Sequence, residues 1–173
     1  FALLGFIWII LLIWVDDIVS IQLGSISLYG EEYWSSTLIV PWIALGYVFY
    51  GLYLLQLPGV FHKEKSIWVA VSRAIGAISN ILLNVYLIPL YGAKGAAIAT
   101  CISFIIMFVV IFIINLRLFP ISYEWSRIIR ILIAMSIISL LYDISNHDYS
   151  NKLMLTLYYP FVLLFTGFLY KSE

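Results

Sequence analysis

The stretch 80–100, NILLNVYLIPLYGAKGAAIAT, carries two asparagines in an otherwise apolar run that stops abruptly and then restarts. Pro89 interrupts the helical hydrogen-bond ladder, and Gly92 and Gly95 permit the sharp turn that the residues LYGAKG require. Beyond the turn, Gly95 and Ala99 form a small-xxx-small pair, which lets two helices approach closely. The stretch therefore predicts two helices joined as a tight hairpin.

The composition of the chain indicates that its surroundings are lipid. Of its 173 residues, 64% are hydrophobic and only 10% are charged, whereas a soluble domain is about 45–50% apolar and about 25% charged. We therefore interpret the chain as an integral membrane protein. Nine basic residues balance nine acidic ones, so the charge does not indicate nucleic-acid binding. The lone Cys101 excludes an internal disulfide and a cysteine-rich metal site.

The predicted fold is an all-α, polytopic membrane helix bundle with about six transmembrane helices. A spanning helix needs about 20 mostly apolar residues, and the apolar segments lack the alternating polarity of barrel strands. The predicted spans are 1–15, 34–57, 67–90, 95–118, 128–142 and 153–170. The residues between the first two spans are too polar to cross again, so we expect a helix extension followed by an interfacial segment.

The distribution of lysine and arginine predicts the orientation of the spans. One set of span ends carries Lys63, Lys65, Arg73, Arg117, Arg127, Arg130 and Lys171. The other set carries only Lys94 and Lys152, together with most of the acidic residues. The positive-inside rule therefore predicts that the first set, and with it the C-terminus, is cytoplasmic.

The third span carries a polar stripe of three candidate site residues. Arg73, Asn80 and Asn84 share one helix face at 3.6 residues per turn. Two interpretations of the asparagines compete: they hydrogen-bond to neighbouring helices, or they line a translocation cavity. Arg73 also has two, because its long side chain can snorkel to the headgroups or face a cavity and bind an anionic, phosphate-bearing substrate.

No catalytic constellation stands out in the sequence. Ser-His-Asp spacing, paired carboxylates and metal-ligand clusters are all missing, so we expect neither an enzyme nor a cofactor or metal. All nine acidic residues fall in loops or at span ends. None of them is therefore placed at mid-membrane, where it would serve proton or sodium coupling.

The turn and its flanks resemble a known family. NILLNVYLIPLYGAKGAAIATCISF is similar to a recurring pattern of polysaccharide-export flippases, in which helical asparagines precede LIP-x-YG-x-x-GAA-x-AT-x-x-S. LYGEEYWSSTLIV looks like the family's G-x-x-Y-x-x-[AS] segment, and GLYLLQLPGVFHKEKSIWVAVSRAIG resembles its next helix, basic loop and following helix. The family is that of the Wzx-type O-antigen and capsule flippases, in the multidrug/oligosaccharidyl-lipid/polysaccharide superfamily. The resemblance extends to about residue 119, and beyond it only the two-span tail agrees.

The resemblance implies a fold and a function. The family's bundle usually has fourteen helices, and the chain would match its C-terminal part, with lobe helices in 1–119 and two additional transmembrane helices in 120–173. The implied activity is alternating-access flipping of an undecaprenyl-pyrophosphate-linked oligosaccharide across the bacterial inner membrane. The partners would be that lipid-linked substrate, membrane lipid and an N-terminal lobe of the same protein, with Arg73, Asn80 and Asn84 as candidates for substrate binding.

Two alternatives remain open from the sequence. A cation-coupled multidrug exporter of the same superfamily is one, although relatives of that kind often carry acidic residues inside the C-terminal lobe. A membrane glycosyltransferase, polymerase or ligase acting on the same lipid-linked sugars is the other. Such enzymes usually have a large extracytoplasmic loop, and the longest loop here is modest.

Overall fold

Apolar helices make up most of the structure, a computed structural model that describes residues 2–23, 26–27, 29–30, 37–118, 125–145 and 147–165. The helices are α1 (Ala2–Val19), α2 (Val40–His62), α3 (Ile67–Leu118), α4 (Trp125–Ile144) and α5 (Tyr149–Phe165). Two short strands, β1 (Gln22–Leu23) and β2 (Ile26–Ser27), pair antiparallel in the register Gln22↔Ser27 and Leu23↔Ile26.

Three of these helices, α1, α2 and α3, are long and apolar enough to cross a membrane. The predicted helical fold is confirmed, and three of its helices are suited to a membrane; the number of about six spans stays a prediction. The helix α3 is interrupted at Gly92, and at about 1.5 Å per residue each of its two halves is about 38 Å long, enough to cross the roughly 30 Å of the hydrocarbon core. It holds both predicted spans 67–90 and 95–118. The predicted spans 128–142 and 153–170 fall on α4 and α5, and residues 166–173 lie outside the described part.

The boundaries of α1 and α2 differ from the predicted ones. α1 continues to Val19, beyond the predicted end at residue 15, in line with the expected helix extension. α2 begins at Val40 and runs to His62, where 34–57 was predicted. Pro41 therefore lies in the first helical turn, where its missing N–H is not needed. Pro58 lies inside the helix close to its C-terminal end.

The turn between α2 and α3 closes with two backbone hydrogen bonds that cap α2. The amide of Glu64 donates to the Phe61 carbonyl at 3.0 Å, and the amide of Lys65 donates to the Val60 carbonyl at 3.1 Å. This is the Schellman arrangement, in which a residue with positive φ follows the helix end. Glu64 occupies that position with φ 54°, where glycine is the usual residue.

The predicted hairpin lies within α3, and its break falls at Gly92. Gly92 has φ 58° and ψ −137°, a conformation open essentially to glycine alone. The break therefore falls inside the predicted turn LYGAKG, and helical geometry continues through Pro89 and one residue beyond the predicted span end at Leu90. At Gly95, an added Cβ would collide with the Leu87 carbonyl. The two halves of α3 therefore meet backbone to backbone next to the turn.

The residues 38–123 form one compact unit, in which α2 packs on both halves of α3. Glycines mark the closest approaches: an added Cβ at Gly46 would lie 3.1 Å from the Cα of Cys101, and one at Gly76 would lie 3.3 Å from the Cβ of Met107. Its core contains Tyr53, Val60, Val69, Met107 and Ile111. Cys101 is buried at the α2 contact, so it is a helix-facing small residue.

The other compact unit joins Phe1–Thr37 with Glu124–Glu173 and contains α1, α4 and α5. The sequence grouped the first span with the next three, whereas α1 packs on α4 and α5. Lys152 of α5, only 7% exposed, forms an ion pair with Asp17 of α1 at 2.5 Å. The indole N–H of Trp14 donates to the Thr156 hydroxyl at 2.8 Å, a second polar link between the same two helices.

Candidate functional site

The polar stripe predicted on the third span lies on the first half of α3, where buried and exposed faces are clearly separated. Val69, Ser72 and Gly76 are buried against the rest of the unit. The apolar residues Ile78 and Leu82 are exposed, with 65% of Leu82 accessible. Apolar side chains on an exposed helix face suit contact with lipid tails.

Arg73 lies beside the buried face of α3 and contacts α2 through its side chain. Its Nε–H donates to the hydroxyl of Tyr53 at 3.2 Å. Its Cζ lies 6.0 Å from the centroid of the Tyr53 ring, at the outer limit of a cation–π contact. Arg73 itself is exposed, whereas Tyr53 is 0% exposed. A fully buried phenol therefore anchors one side of an exposed guanidinium.

The anchor holds the Arg73 head group away from the nearest helix end. At about 1.5 Å per residue, Arg73 lies about 9 Å from the start of α3, and Tyr53 lies about 14 Å from the end of α2. The hydrogen bond therefore directs the guanidinium toward a residue that is further from the α2–α3 turn than Arg73 itself. If Arg73 snorkelled, its guanidinium would instead point toward the α2–α3 turn.

On the exposed side of α3, the neighbours of Arg73 are small, and α2 and α3 carry no negative charge. Its neighbours on the helix surface include Ala70 and Ala77, at positions three before and four after it, and both are exposed. Neither α2 nor α3 contains an aspartate or a glutamate. The positive charge of Arg73 thus has no counter-charge on the two helices that build this unit, and small side chains leave the space beside it open.

Asn80 and Asn84 form a hydrogen-bonded chain across the α3 hairpin. The side-chain amide of Asn84 donates to the Asn80 Oδ1 at 2.9 Å, and the Asn80 amide donates to the Thr100 hydroxyl at 3.4 Å. Thr100 in turn donates to the Ala96 carbonyl at 3.0 Å. The asparagines thus make the contacts that the first interpretation predicted, one along the helix and one to its partner helix.

This series of hydrogen bonds leaves one acceptor unsatisfied, because the Oδ1 of Asn84 is buried without a hydrogen-bond partner. A buried acceptor of this kind is costly unless water or a ligand donates to it. Asn84 is only partly buried as a residue, so its amide lies at the edge of the hairpin. The Oδ1 of Asn115 is buried without a partner in the same way, so an open acceptor does not by itself mark a ligand site.

The three predicted site residues do not converge on one point. Arg73 bonds to α2, whereas the asparagines bond to the second half of α3. Seven residues separate Arg73 from Asn80, which is about 10 Å along the helix. A ligand that contacts all three residues would therefore need to be extended, with its charged group at Arg73.

The sequence reasoning missed Tyr53 and a second buried polar pair. The amide of Asn115 donates to both the main-chain carbonyl and the side-chain Oε1 of Gln56, at 2.7 and 3.1 Å. Both residues are almost fully buried, at 1% and 3% exposure. The sequence could have predicted this pair, because Gln56 and Asn115 are each the single amide of an otherwise apolar span. Such groups at membrane depth hydrogen-bond to other helices. For Tyr53 no comparable signal exists, because the chain has 13 tyrosines.

Within the described ranges, no group of three or more metal-ligating side chains comes together. Comparisons of the chain with protein-family models, with curated proteins and with solved structures find no match. The function is therefore inferred from the chemistry of the residues around Arg73 and from the resemblance in the turn sequence.

Proposed function

We propose that the chain is the C-terminal part of a flippase that moves an undecaprenyl-pyrophosphate-linked oligosaccharide across the bacterial inner membrane by alternating access. The observation that carries the proposal is Arg73, an exposed guanidinium on an apolar helix pair that has no acidic residue. A pyrophosphate supplies the counter-charge that the protein itself does not place there, and guanidinium binds phosphate oxygens in pairs.

The polar groups further along the hairpin suit the sugar part of such a substrate. Asn80 and Asn84 are only partly buried, and an amide side chain can both donate to and accept from sugar hydroxyls. The distance of about 10 Å between Arg73 and Asn80 along α3 matches an extended ligand with a charged end and a polar body. The exposed apolar face of the same helix would meet lipid.

The same residues argue against the main alternative. A cation-coupled exporter needs carboxylates at membrane depth to bind its coupling ion. The helices α2, α3 and α5 contain no aspartate or glutamate, and those of α1 lie in its last turn. This supports a flippase whose site in this part of the chain is cationic.

We further propose that the chain crosses the membrane about six times, with a cytoplasmic C-terminus. The length of α3 together with its break at Gly92 supports two crossings by that helix. The basic loop at Lys63 and Lys65 and the basic start of α4 would then lie on the cytoplasmic side.

The proposal is tested by deleting the full-length gene in its host and staining the cells for surface polysaccharide. We expect the polysaccharide to be lost and to return with the wild-type gene. The Arg73→Ala variant should restore it about tenfold less well or worse, because a lost charge-assisted phosphate contact is worth about 1.5–3 kcal/mol. Arg117→Ala, a change at another exposed arginine of α3, serves as the matched control and should complement fully.

Two outcomes would contradict the proposal. Unchanged polysaccharide in the deletion strain, with increased sensitivity to drugs, would favour the multidrug exporter. Full complementation by Arg73→Ala at normal expression would mean that Arg73 does not meet the substrate.

A further inference from the structure

We infer that Tyr53 is a positioning residue for Arg73, which it orients so that the two terminal amino groups of the guanidinium meet the phosphate. The inference rests on the proposed function, because it assigns a role within the same site. It adds a residue on a different helix, and it specifies which edge of the guanidinium the substrate contacts.

Tyr53 is held in one place by its surroundings. It is 0% exposed and belongs to the buried cluster with Val69, Met107 and Ile111. Its ring stacks on that of Tyr50, with centroids 5.8 Å apart and ring planes 24° apart. A side chain enclosed in this way has little freedom to change rotamer. Its hydroxyl is therefore a fixed acceptor for Arg73.

The hydroxyl is the part of Tyr53 that packing does not explain. Phenylalanine has the same ring and would fill the same space without a polar atom. A buried hydroxyl costs free energy unless it is hydrogen-bonded, and the bond that satisfies this one is the 3.2 Å contact with the Arg73 Nε. The hydroxyl that distinguishes tyrosine from phenylalanine at position 53 thus acts on Arg73.

The hydrogen bond also determines which N–H groups of Arg73 remain available to a ligand. A guanidinium has five N–H donors and binds phosphate through a pair of parallel N–H groups. Tyr53 occupies the single N–H of Nε, which removes the edge formed by Nε and one terminal nitrogen. The edge formed by Nη1 and Nη2 remains, and none of the residues described in the structure accepts a hydrogen bond from it.

The small neighbours of Arg73 leave this edge accessible. Ala70 and Ala77 flank Arg73 on the helix surface and are exposed. Without the anchor, the four-bond side chain would sample many rotamers, including those that reach the membrane surface. Tyr53 thus removes conformational entropy that would otherwise be lost when the phosphate binds.

The test measures binding of undecaprenyl pyrophosphate to the purified full-length protein in nanodiscs, with undecaprenol as the uncharged control lipid. Four proteins are compared: wild type, Tyr53→Phe, Arg73→Ala and the double variant. We expect Arg73→Ala to weaken binding by about tenfold or more and Tyr53→Phe by roughly three- to tenfold. The double variant should bind as Arg73→Ala does, because Tyr53 acts only through Arg73.

Two controls separate positioning from a general loss of structure. Tyr47→Phe removes a hydroxyl on the same helix, and no described hydrogen bond joins Tyr47 to Arg73, so its binding should equal that of wild type. Undecaprenol binding should be the same in all variants, which a damaged fold would not allow.

The outcomes distinguish this inference from the proposed function. Wild-type affinity in Arg73→Ala would overturn both. Weakened binding in Arg73→Ala together with wild-type affinity in Tyr53→Phe would overturn the positioning role alone. An equal loss on Tyr53→Phe in the wild-type and Arg73→Ala backgrounds would also overturn it, since Tyr53 would then act independently of the arginine.

Discussion

At the scale of single residues, Glu64 has a backbone conformation that its residue type disfavours. It is exposed and has φ 54° at the end of α2, a conformation that costs an L-residue about 1–2 kcal/mol relative to ordinary helical geometry. Its negative charge also lies at the helix C-terminus, where the helix dipole disfavours anions. The basic loop thus contains a locally unfavourable residue that makes no described side-chain contact across the fold.

We predict that Glu64→Gly stabilises the protein by about 1 kcal/mol, because glycine adopts positive φ without steric cost. The measurement is thermal unfolding of the purified protein in detergent, where the midpoint should rise by a few degrees. Glu64→Gln separates the two causes, since it removes the charge and keeps the strain. Lys63→Gly, at φ −92°, should give no gain. A rise for Lys63→Gly as large as that for Glu64→Gly would refute the explanation.

Asn80 and Arg73, two polar residues of the hairpin, differ in how far their contacts within the protein account for them. Asn80 has both of its described hydrogen-bonding partners within α3, and bonds of this kind in membranes average about 0.6 kcal/mol. Arg73 has a single hydrogen bond and a charge without a counter-ion on α2 or α3. The asparagine is thus explained in large part by packing, whereas the arginine is not.

At the scale of elements, the α3 hairpin is built by two glycines that act for different reasons. Gly92 supplies a backbone conformation, and nothing would contact an added Cβ there. Gly95 has no unusual φ, and an added Cβ would collide with the backbone of Leu87. One glycine is thus required by the turn, and the other by the approach of the two helix halves.

We predict that Gly95→Ala destabilises the protein by about 1–3 kcal/mol or more, because backbone atoms cannot yield as a flexible side chain does. Heating the detergent-solubilised protein and following its monodisperse fraction measures the loss. Ala93→Ser, a change of similar size at an exposed position of the same turn, is the control and should leave stability unchanged. Equal melting curves for Gly95→Ala and wild type would show that the hairpin is looser than the structure places it.

At the scale of the whole molecule, the division into two compact units does not follow the order of the chain. The helices α2 and α3 form one unit, whereas α1 packs with α4 and α5, which are more than 100 residues away in sequence. An ion pair between Lys152 and Asp17 and a hydrogen bond between Trp14 and Thr156 connect α1 with α5. The ammonium of Lys152 is buried and would lose its counter-charge if Asp17 were removed, so the ion pair favours the packing of α1 on α5.

The membrane topology is predicted for the whole molecule as well. In a cysteine-free version of the full-length protein, which includes Cys101→Ser, single cysteines are placed at Lys65, Ala93 and Asp148, and intact cells are treated with a membrane-impermeant maleimide. We expect Ala93→Cys and Asp148→Cys to be labelled from outside, and Lys65→Cys to be labelled only after the membrane is permeabilised. Labelling of Lys65→Cys and Ala93→Cys from the same side would contradict a crossing by the first half of α3.

The sequence by itself determined the properties that depend on neighbouring residues and on composition. Its apolar content predicted helices suited to lipid, and its Pro-Gly pattern predicted a turn over residues 90–95, which contains the observed break at Gly92. Such features are local, because a turn needs a particular backbone conformation and a span needs a certain length of apolar chain. The same periodicity placed Arg73, Asn80 and Asn84 on one helix face.

Only the tertiary structure decided which side chains meet. Tyr53 and Arg73 are 20 residues apart, and Gln56 and Asn115 are 59 apart. Contacts across helices depend on the axial offset and rotation of each pair, which no short stretch of sequence encodes. For this reason the contact of Tyr53 with Arg73 and the packing of α1 on α4 and α5 are evident only from the tertiary structure.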